Sequence, residues 1–341
     1  MANVLAIAPY REISPIGEKA FNFIVALNRV TQAHVHNVHY SLENRVNDNI
    51  NIPTNEGLES IDICAMYLRP ENFVKTQHHS LGVFEPDTKG NYFHKTHLEH
   101  LDTLAVYSEK QKEICKSFNS NIKVLRPSVE IKGDLNPMKG IDRTVKFYTP
   151  FVEDTSNRDS IVKAYFKAFS SSDNVALGIL TQDPSKDIEE INKLKKECPK
   201  GAEENYPEIV LFTDVKEIHR QCHVCIDVDS TYRVLLGTLI ALKFGNPLVC
   251  LKTSSMQEWL PEEVCYKMPS REELVFGPNR MFTCEGEVWQ HFSTTDLSQM
   301  LLSIYKDRSS LRLKQGRIVS EYSDLFSPEN SVESIREAMC L

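Results

Sequence analysis

The stretch Val224-Cys-Ile-Asp-Val-Asp-Ser-Thr-Tyr-Arg-Val-Leu-Leu-Gly-Thr-Leu-Ile-Ala-Leu-Lys-Phe-Gly-Asn-Pro-Leu-Val-Cys-Leu251 carries the architecture in its punctuation. Val224 to Val228 is an apolar run with the length and composition of a buried strand. A polar turn follows, and a helix is expected from Tyr232 to Phe244. Gly245-Asn-Pro247 stops that helix, since proline cannot continue it, and Leu248 to Leu251 reads as the next strand. A helix between two buried strands calls for a parallel sheet with right-handed crossovers, covered on both faces.

The same alternation extends upstream. Strands are expected at Val145 to Tyr148, Val175 to Leu180 and Ile209 to Phe212, with helices at Asp159 to Phe169, Ile188 to Lys196 and Val215 to Gln221. The first half repeats the pattern independently. Its strands are Val4 to Ala8, Ala33 to Tyr40, Asp62 to Leu68, Leu81 to Phe84, Thr103 to Tyr107 and Ile122 to Leu125. Its helices begin near Gly17, with Phe21, Ile24 and Leu27 on one face, and span Glu109 to Ser117. Between the halves, Lys132 to Gly140 has the turn-former density of a linker. Three C-terminal helices complete the chain, Asp296 to Tyr305, Ser310 to Phe326 and Glu329 to Met339, the last with Ser327 as its N-cap. The expectation is an α/β protein with two doubly wound, Rossmann-like domains, 1–135 and 141–325, and a terminal helix, 326–341, packing back on the first. The default ligand site is the cleft between them, at the C-terminal ends of the strands.

Composition narrows the function classes. The 341 residues exceed one core, and 41% hydrophobic with 25% charged residues is ordinary globular usage. The net charge of -8 is uneven, with 15 Lys/Arg against 16 Asp/Glu up to Gly140 and 24 against 31 beyond it. Eight of eleven histidines also fall in the first half, making it the half suited to an anionic acceptor. No dense Lys/Arg stripe marks a nucleic-acid binder. Nine scattered cysteines, several inside apolar runs, read as reduced, buried thiols of a cytoplasmic protein. Cys222-His-Val-Cys225 lacks a second pair at zinc spacing, so no metal site is assigned to it. The first strand starts at Val4, with no secretory signal before it, and the longest apolar run, Val234 to Leu242, is too short to cross a bilayer.

Particular segments resemble glycosyltransferase family 4, whose members have the GT-B fold. Ser14-Pro-Ile-Gly17-Glu-Lys-Ala-Phe-Asn-Phe-Ile-Val-Ala-Leu27 is similar to that family's opening loop and first helix. Phe84-Glu85-Pro-Asp-Thr88 followed by Leu101-Asp-Thr-Leu-Ala-Val-Tyr-Ser108 resembles its glutamate turn and serine-ended strand. Ile122-Lys-Val-Leu-Arg-Pro-Ser-Val-Glu130 is similar to its last N-domain strand, and Asn157 to Tyr165 to the helix after its first C-domain strand. Leu242-Lys-Phe-Gly245-Asn-Pro247 resembles the Gly-x-Pro turn, and Glu285 to Trp289 with Tyr322-Ser-Asp-Leu-Phe326 the closing segment. The ordered series covers nearly the whole chain.

The resemblance implies transfer of a hexosyl or pentosyl unit from a nucleotide-diphosphate sugar, UDP-linked by preference, to a hydroxyl acceptor. Retention of configuration and no obligatory metal or other cofactor go with it. Gly17 and the turn Ser230-Thr231-Tyr232-Arg233 are the candidate phosphate cradles, because a helix start offers free N–H donors and glycine permits close approach. The structural alternative for Gly17 is a plain loop-to-helix turn. The base is expected near Thr213-Asp214-Val215.

The family's two glutamates, spaced by seven residues, fall here at Tyr232 and Ile240, so both carboxylates are missing. Asp229 is a candidate ribose acceptor in their place and Glu258 a candidate sugar contact, with helix capping and helix-start charge as the alternatives. The family's basic pair falls at Thr155-Ser156, leaving Arg158, Lys163 or Arg233 to neutralise the leaving diphosphate unless they are solvated helix charges. On the acceptor side His79 or Glu85 is expected to face the reacting sugar, while His97 and His100 read as metal ligands or surface residues. Two rivals stand beside the enzyme reading: a catalytically silent relative that binds a partner or glycan, and an acceptor consisting of hydroxymethylated bases in viral DNA. The oligomeric state stays open.

Overall fold

The computed structural model describes residues 2–12, 14–39, 60–68, 70–86, 89, 95–131, 144–150, 155–199, 205–274 and 287–341. The candidate linker 132–140, His94 and residues 87–88, 151–154 and 285–286 lie outside them. The first unit contains β1 (Val4–Ala8), α1 (Pro15–Val30), β2 (Ala33–Asn37), β3 (Ile63–Met66), β4 (His79–Val83), α2 (Lys95–Glu99), β5 (Thr103–Val106), α3 (Glu109–Cys115) and β6 (Ile122–Val124). The second contains β7 (Val145–Thr149), α4 (Thr155–Ala168), β8 (Val175–Leu180), α5 (Pro184–Glu197), β9 (Glu208–Phe212), α6 (Val215–Gln221), β10 (Val224–Asp227), α7 (Leu236–Lys243), β11 (Leu248–Leu251) and β12 (Cys265–Met268). A ribbon of β13 (Arg271–Leu274) and β14 (Val288–His291) follows, then α8 (Thr294–Lys306), α9 (Arg308–Arg317) and α10 (Val332–Met339).

Each unit holds a six-stranded sheet, ordered β2-β1-β3-β4-β5-β6 and β12-β11-β10-β7-β8-β9, and neighbouring strands within both run parallel. The fold is thus α/β with two Rossmann-like sheets, as the strand and helix alternation predicts. The second sheet has the Rossmann order, and its chain direction across the sheet reverses between β7 and β10. The first reverses between β1 and β3.

Alternate residues of the central strands feed opposite faces. In β7, Val145 and Phe147 join the core over α4 and α8, while Tyr148 faces the other way. That second core is shared. It joins Val4, Ala6 and Ala8 of β1, Phe23 and Leu27 of α1, Leu239 and Phe244 of α7, and Ile335 and Met339 of α10 in one apolar cluster. α10 lies against α1 and β6, tied by the Ser334 hydroxyl, which accepts from Arg126 N at 3.0 Å.

The structure shifts several expected elements. The helix expected from Tyr232 starts at Leu236, four residues later. His79 opens β4 instead of preceding it. The edge strand β12 and the β13–β14 ribbon have no counterpart in the sequence reading, because Lys267 and the charged Arg271–Leu274 interrupt any apolar period. Ser327 makes no side-chain cap; a 3-10 turn, Pro328–Ser331, precedes α10. Of the cysteines, Cys340 is exposed, outside the expected buried set.

Candidate functional site

The carboxyl ends of β7 and β10, at the reversal point of the second sheet, open onto a shallow groove of about 70 Å³ that is continuous with solvent. Pro150 after β7, Leu180 ending β8, Val215 starting α6 and Asp229 and Arg233 after β10 form one side, with Leu235, Leu236, Gly237 and Ile240 of the α7 segment. Glu18 and Lys19 of α1 close it from the other unit.

α7 presents its first turn to this groove. Its N-cap, Leu235, is extended and offers no side-chain acceptor, so the first-turn amides have no cap of the Ser or Asp kind. Gly237 is required there for space: a Cβ on it would lie 2.5 Å from Pro150 Cβ. The helix starts late because the preceding backbone is engaged across the chain. The Tyr232 carbonyl accepts from Gln111 Nε2 at 2.7 Å and Ser255 Oγ at 2.6 Å, and Val234 N donates to Glu85 Oε2 at 2.9 Å. Asp229 Oδ1 accepts from Thr231 N at 2.6 Å and tightens the turn.

Charge around the groove is organised in pairs. Glu85, at the end of β4, is nearly buried and accepts from Lys19 Nζ at 3.0 and 3.1 Å and from the Tyr67 hydroxyl at 2.9 Å. Together with its bond to Val234 N, it links the two units beside the α7 start. Beneath the groove, Asp227 accepts from the Thr238 hydroxyl of α7. Burial, reinforced by the negative charge of Asp229, pushes the Asp227 carboxyl well above the usual carboxylate range. Glu18 retains solvent contact, yet the groove wall strips enough water from it to raise its pKa.

Elsewhere hydrogen bonds tie the two units together. Glu258 accepts from Glu109 N at 2.6 Å and Lys110 N at 2.9 Å, so a carboxylate of the second unit caps α3 of the first alongside the Ser108 side chain, which accepts from Gln111 N. Trp259 Nε1 donates to the Tyr107 carbonyl at 2.7 Å, and the Lys110 ammonium sits 4.7 Å from the Tyr232 ring centroid. Tyr232 is fully buried and donates to Glu272 Oε1 at 3.0 Å. Glu258 and Tyr232 are therefore interface residues, and the expected sugar contact of Glu258 is already taken by backbone amides.

The remaining candidates separate clearly. Arg233, Asp229 and Val215 line the groove; Ser230 is buried and donates to Asn157 Oδ1 at 3.0 Å, and Thr231 is buried beside it. Thr213 is exposed, and Asp214 caps α6 by accepting from Glu217 N at 2.8 Å. Gly17 is the third residue of α1, and its amide donates to the Ser14 hydroxyl at 3.1 Å, so it offers no free cradle. A Cβ there would fall 2.1 Å from the Glu12 carbonyl oxygen, which makes tight loop packing the reason for glycine. Arg158 turns to α5, pairing with Asp187 at 2.5 Å and with Glu190, and Lys163 pairs with Glu197 at 2.8 Å. His79 stands at the amino end of β4, its Nε2 3.1 Å from Thr103 Oγ1, on the sheet edge opposite Glu85. His97 and His100 are exposed at α2. Burial pushes the Cys222 thiol up to about 12.

Sequence reasoning missed Lys19, Pro150, Leu180 and the Leu235–Gly237 start of α7. The signal available for the last was Gly237, a helix-breaking residue inside an otherwise apolar helix.

Among the described residues no helix is long and apolar enough to cross a membrane, and no cluster of three His, Cys, Asp or Glu is placed to hold a metal ion. No protein-family profile matches the sequence, and no curated protein matches it. Solved structures do match in fold. HepE of Anabaena, solved with UDP and glucose and also with UDP-glucose, aligns over 100% of both chains at TM-scores of 0.65 and 0.64, with 10% and 11% identity. Sucrose-phosphate synthase of Thermosynechococcus elongatus aligns over 99% of this chain and 98% of its own, at 0.61 and 12% identity. TarM of S. aureus, in complex with UDP among other ligands, aligns over 81% of this chain and 55% of its own, at 0.57 and 13%. The architecture of this chain is that of the GT-B glycosyltransferases.

Proposed function

We propose that this chain is a glycosyltransferase that moves a hexosyl or pentosyl unit from a nucleotide-diphosphate sugar, UDP-linked by preference, to a hydroxyl acceptor. The observation that carries the reading is the groove at the β7/β10 reversal point, where the uncapped start of α7 faces Arg233 and Lys19. Helix-terminal amides and the Arg233 guanidinium suit a diphosphate, with Lys19 beside them on exchanging its Glu85 partner, and they stabilise the charge that develops as the glycosidic bond breaks. The base lies toward Leu180 and Val215, with Thr213 and Asp214 at the outer end. Asp229 and Glu85 border the sugar, and the acceptor enters from the 1–135 unit. The nucleotide rests on the 141–325 unit, and closure excludes water that otherwise hydrolyses the donor. Retention of configuration, independence from metal and a cytoplasmic setting belong to this proposal.

Titration of the protein with UDP and UDP-glucose, read by thermal shift and calorimetry, tests it. Ligand at about a hundred times its Kd adds about 2.7 kcal/mol of stability. Arg233→Ala is expected to weaken UDP binding about tenfold or more, as loss of a charge-assisted hydrogen bond costs about 1.5 to 3 kcal/mol. Ile240 in the groove, an apolar side chain, is the observation that favours the silent relative. Failure of every nucleoside diphosphate to bind at millimolar concentration decides for that reading. Binding to hydroxymethylated DNA that weakens steeply with salt would move the acceptor to nucleic acid.

A further inference from the structure

Between the phosphate end of the groove and its base end, the wall is apolar. Leu236 and Ile240 stand one helical turn apart on α7, spaced i and i+4 on one face, with Leu180 and Val215 across from them. A nucleoside diphosphate whose phosphates meet the α7 start, as in the reading above on which this inference rests, lays its pentose along that turn. Ile240 is the side chain at that level. The two carboxylates that line the groove belong to other parts of it: Asp229 directs Oδ1 onto Thr231 N, and Glu18 stands on the opposite wall in α1.

A vicinal diol needs acceptors to be recognised, and a hydroxyl desolvated against aliphatic carbon without one costs about 1 to 3 kcal/mol. A site built to hydrogen-bond a substrate hydroxyl rejects the analogue lacking it, whereas an apolar wall does not discriminate in that direction. We infer that this groove does not select for the ribose 2′-hydroxyl and accepts 2′-deoxyribonucleoside diphosphate donors as readily as ribonucleoside ones. The substrate class then includes sugars carried on deoxythymidine-type diphosphates.

The test is calorimetric titration of the unmodified protein with UDP and with 2′-deoxy-UDP, which needs no variant to fold. A Kd for 2′-deoxy-UDP within threefold of that for UDP, or tighter, is the expected result. A preference for UDP greater than threefold overturns the inference while leaving the donor reading intact. Absence of binding by both at millimolar concentration removes the donor reading, and this inference with it. Ile240→Gln, which places a hydrogen-bonding group on the wall, is expected to shift the ratio toward UDP. An unchanged ratio in a folded Ile240→Gln protein also counts against the assignment, because the pentose is then not at Ile240.

Discussion

The two ends of α7 are treated in opposite ways. At its C-terminal end the closing backbone amides and the Asn246 side-chain nitrogen are bound within the fold, while Asn246 Oδ1 and His219 Nε2 are buried without a partner. Gly245, at φ 75°, turns the chain so that Asn246 N donates to the Ala241 carbonyl at 2.9 Å and Gly245 N to that of Leu242 at 3.0 Å. The buried Asn246 amide donates to the Tyr148 hydroxyl at 3.0 Å and to the His219 carbonyl at 2.7 Å, and Tyr148 also meets His219 Nδ1 at 2.7 Å. At the N-terminal end the cap residue is an aliphatic Leu235 facing the groove. One end is committed to the fold; the other has no side-chain cap and is the end that the proposed function gives to a ligand. Substitutions at the two ends should therefore separate stability from binding.

The largest effect is expected at Asn246. Asn246→Ala takes the amide donor from the His219 carbonyl and one of two partners from the Tyr148 hydroxyl, at a cost of about 3 kcal/mol. Chemical denaturation measures it, and UDP affinity of the folded fraction stays unchanged. A cost below about 1 kcal/mol would erase the contrast, since such a loss is typical of an exposed site.

Acid should attack the same end. Burial lowers the His219 pKa from 6.5 to about 3, so its folded-state value lies below the unfolded one. The unfolded chain then binds the extra proton, and the stability present above pH 6.5 is lost as pH falls toward 3. Between about pH 7 and 5 the loss from this one residue is about 2 kcal/mol. His219→Gln is expected to reduce the pH slope by roughly one proton; an unaltered slope would show that His219 does not titrate across folding.

Gly245→Ala ranks next. The left-handed backbone costs an L-residue about 1 to 2 kcal/mol, and the new Cβ would stand 2.7 Å from Val319 Cγ2. A melting temperature unchanged by this substitution would mean that the turn relaxes, and that the helix stop rests on Pro247 alone.

How much of this was legible depends on sequence distance. The Gly245-Asn-Pro247 stop, both parallel sheets and most strands were readable, because apolar runs, helix periods and turn residues act locally. The late start of α7 was not, because Tyr232 is held by Gln111, 121 residues away, and Val234 by Glu85, 149 away. Glu258 could be read as a helix-start charge, yet the helix whose amides it caps, α3, lies in the other unit. His79 and Glu85 are six positions apart and equally polar on paper, yet β4 carries them to opposite sheet edges. Lys19 carries no local signal in the sequence, because its partner, Glu85, is 66 residues away.

The smallest effect tests the open end. Leu235 already has the extended backbone of an N-cap, with φ -85° and ψ 125°, so Leu235→Ser places an acceptor where α7 has none. A serine cap contributes about 0.5 to 1 kcal/mol, partly offset by the lost leucine contacts, so the melting temperature should hold or rise slightly. The same hydroxyl competes for the amides assigned to the diphosphate, and UDP binding should weaken severalfold. Stability and affinity then move in opposite directions at this end, where Asn246→Ala moves stability alone. If Leu235→Ser leaves UDP affinity untouched while the cap forms, the first-turn amides of α7 do not hold the phosphates, and the cations Arg233 and Lys19 must hold them without the helix.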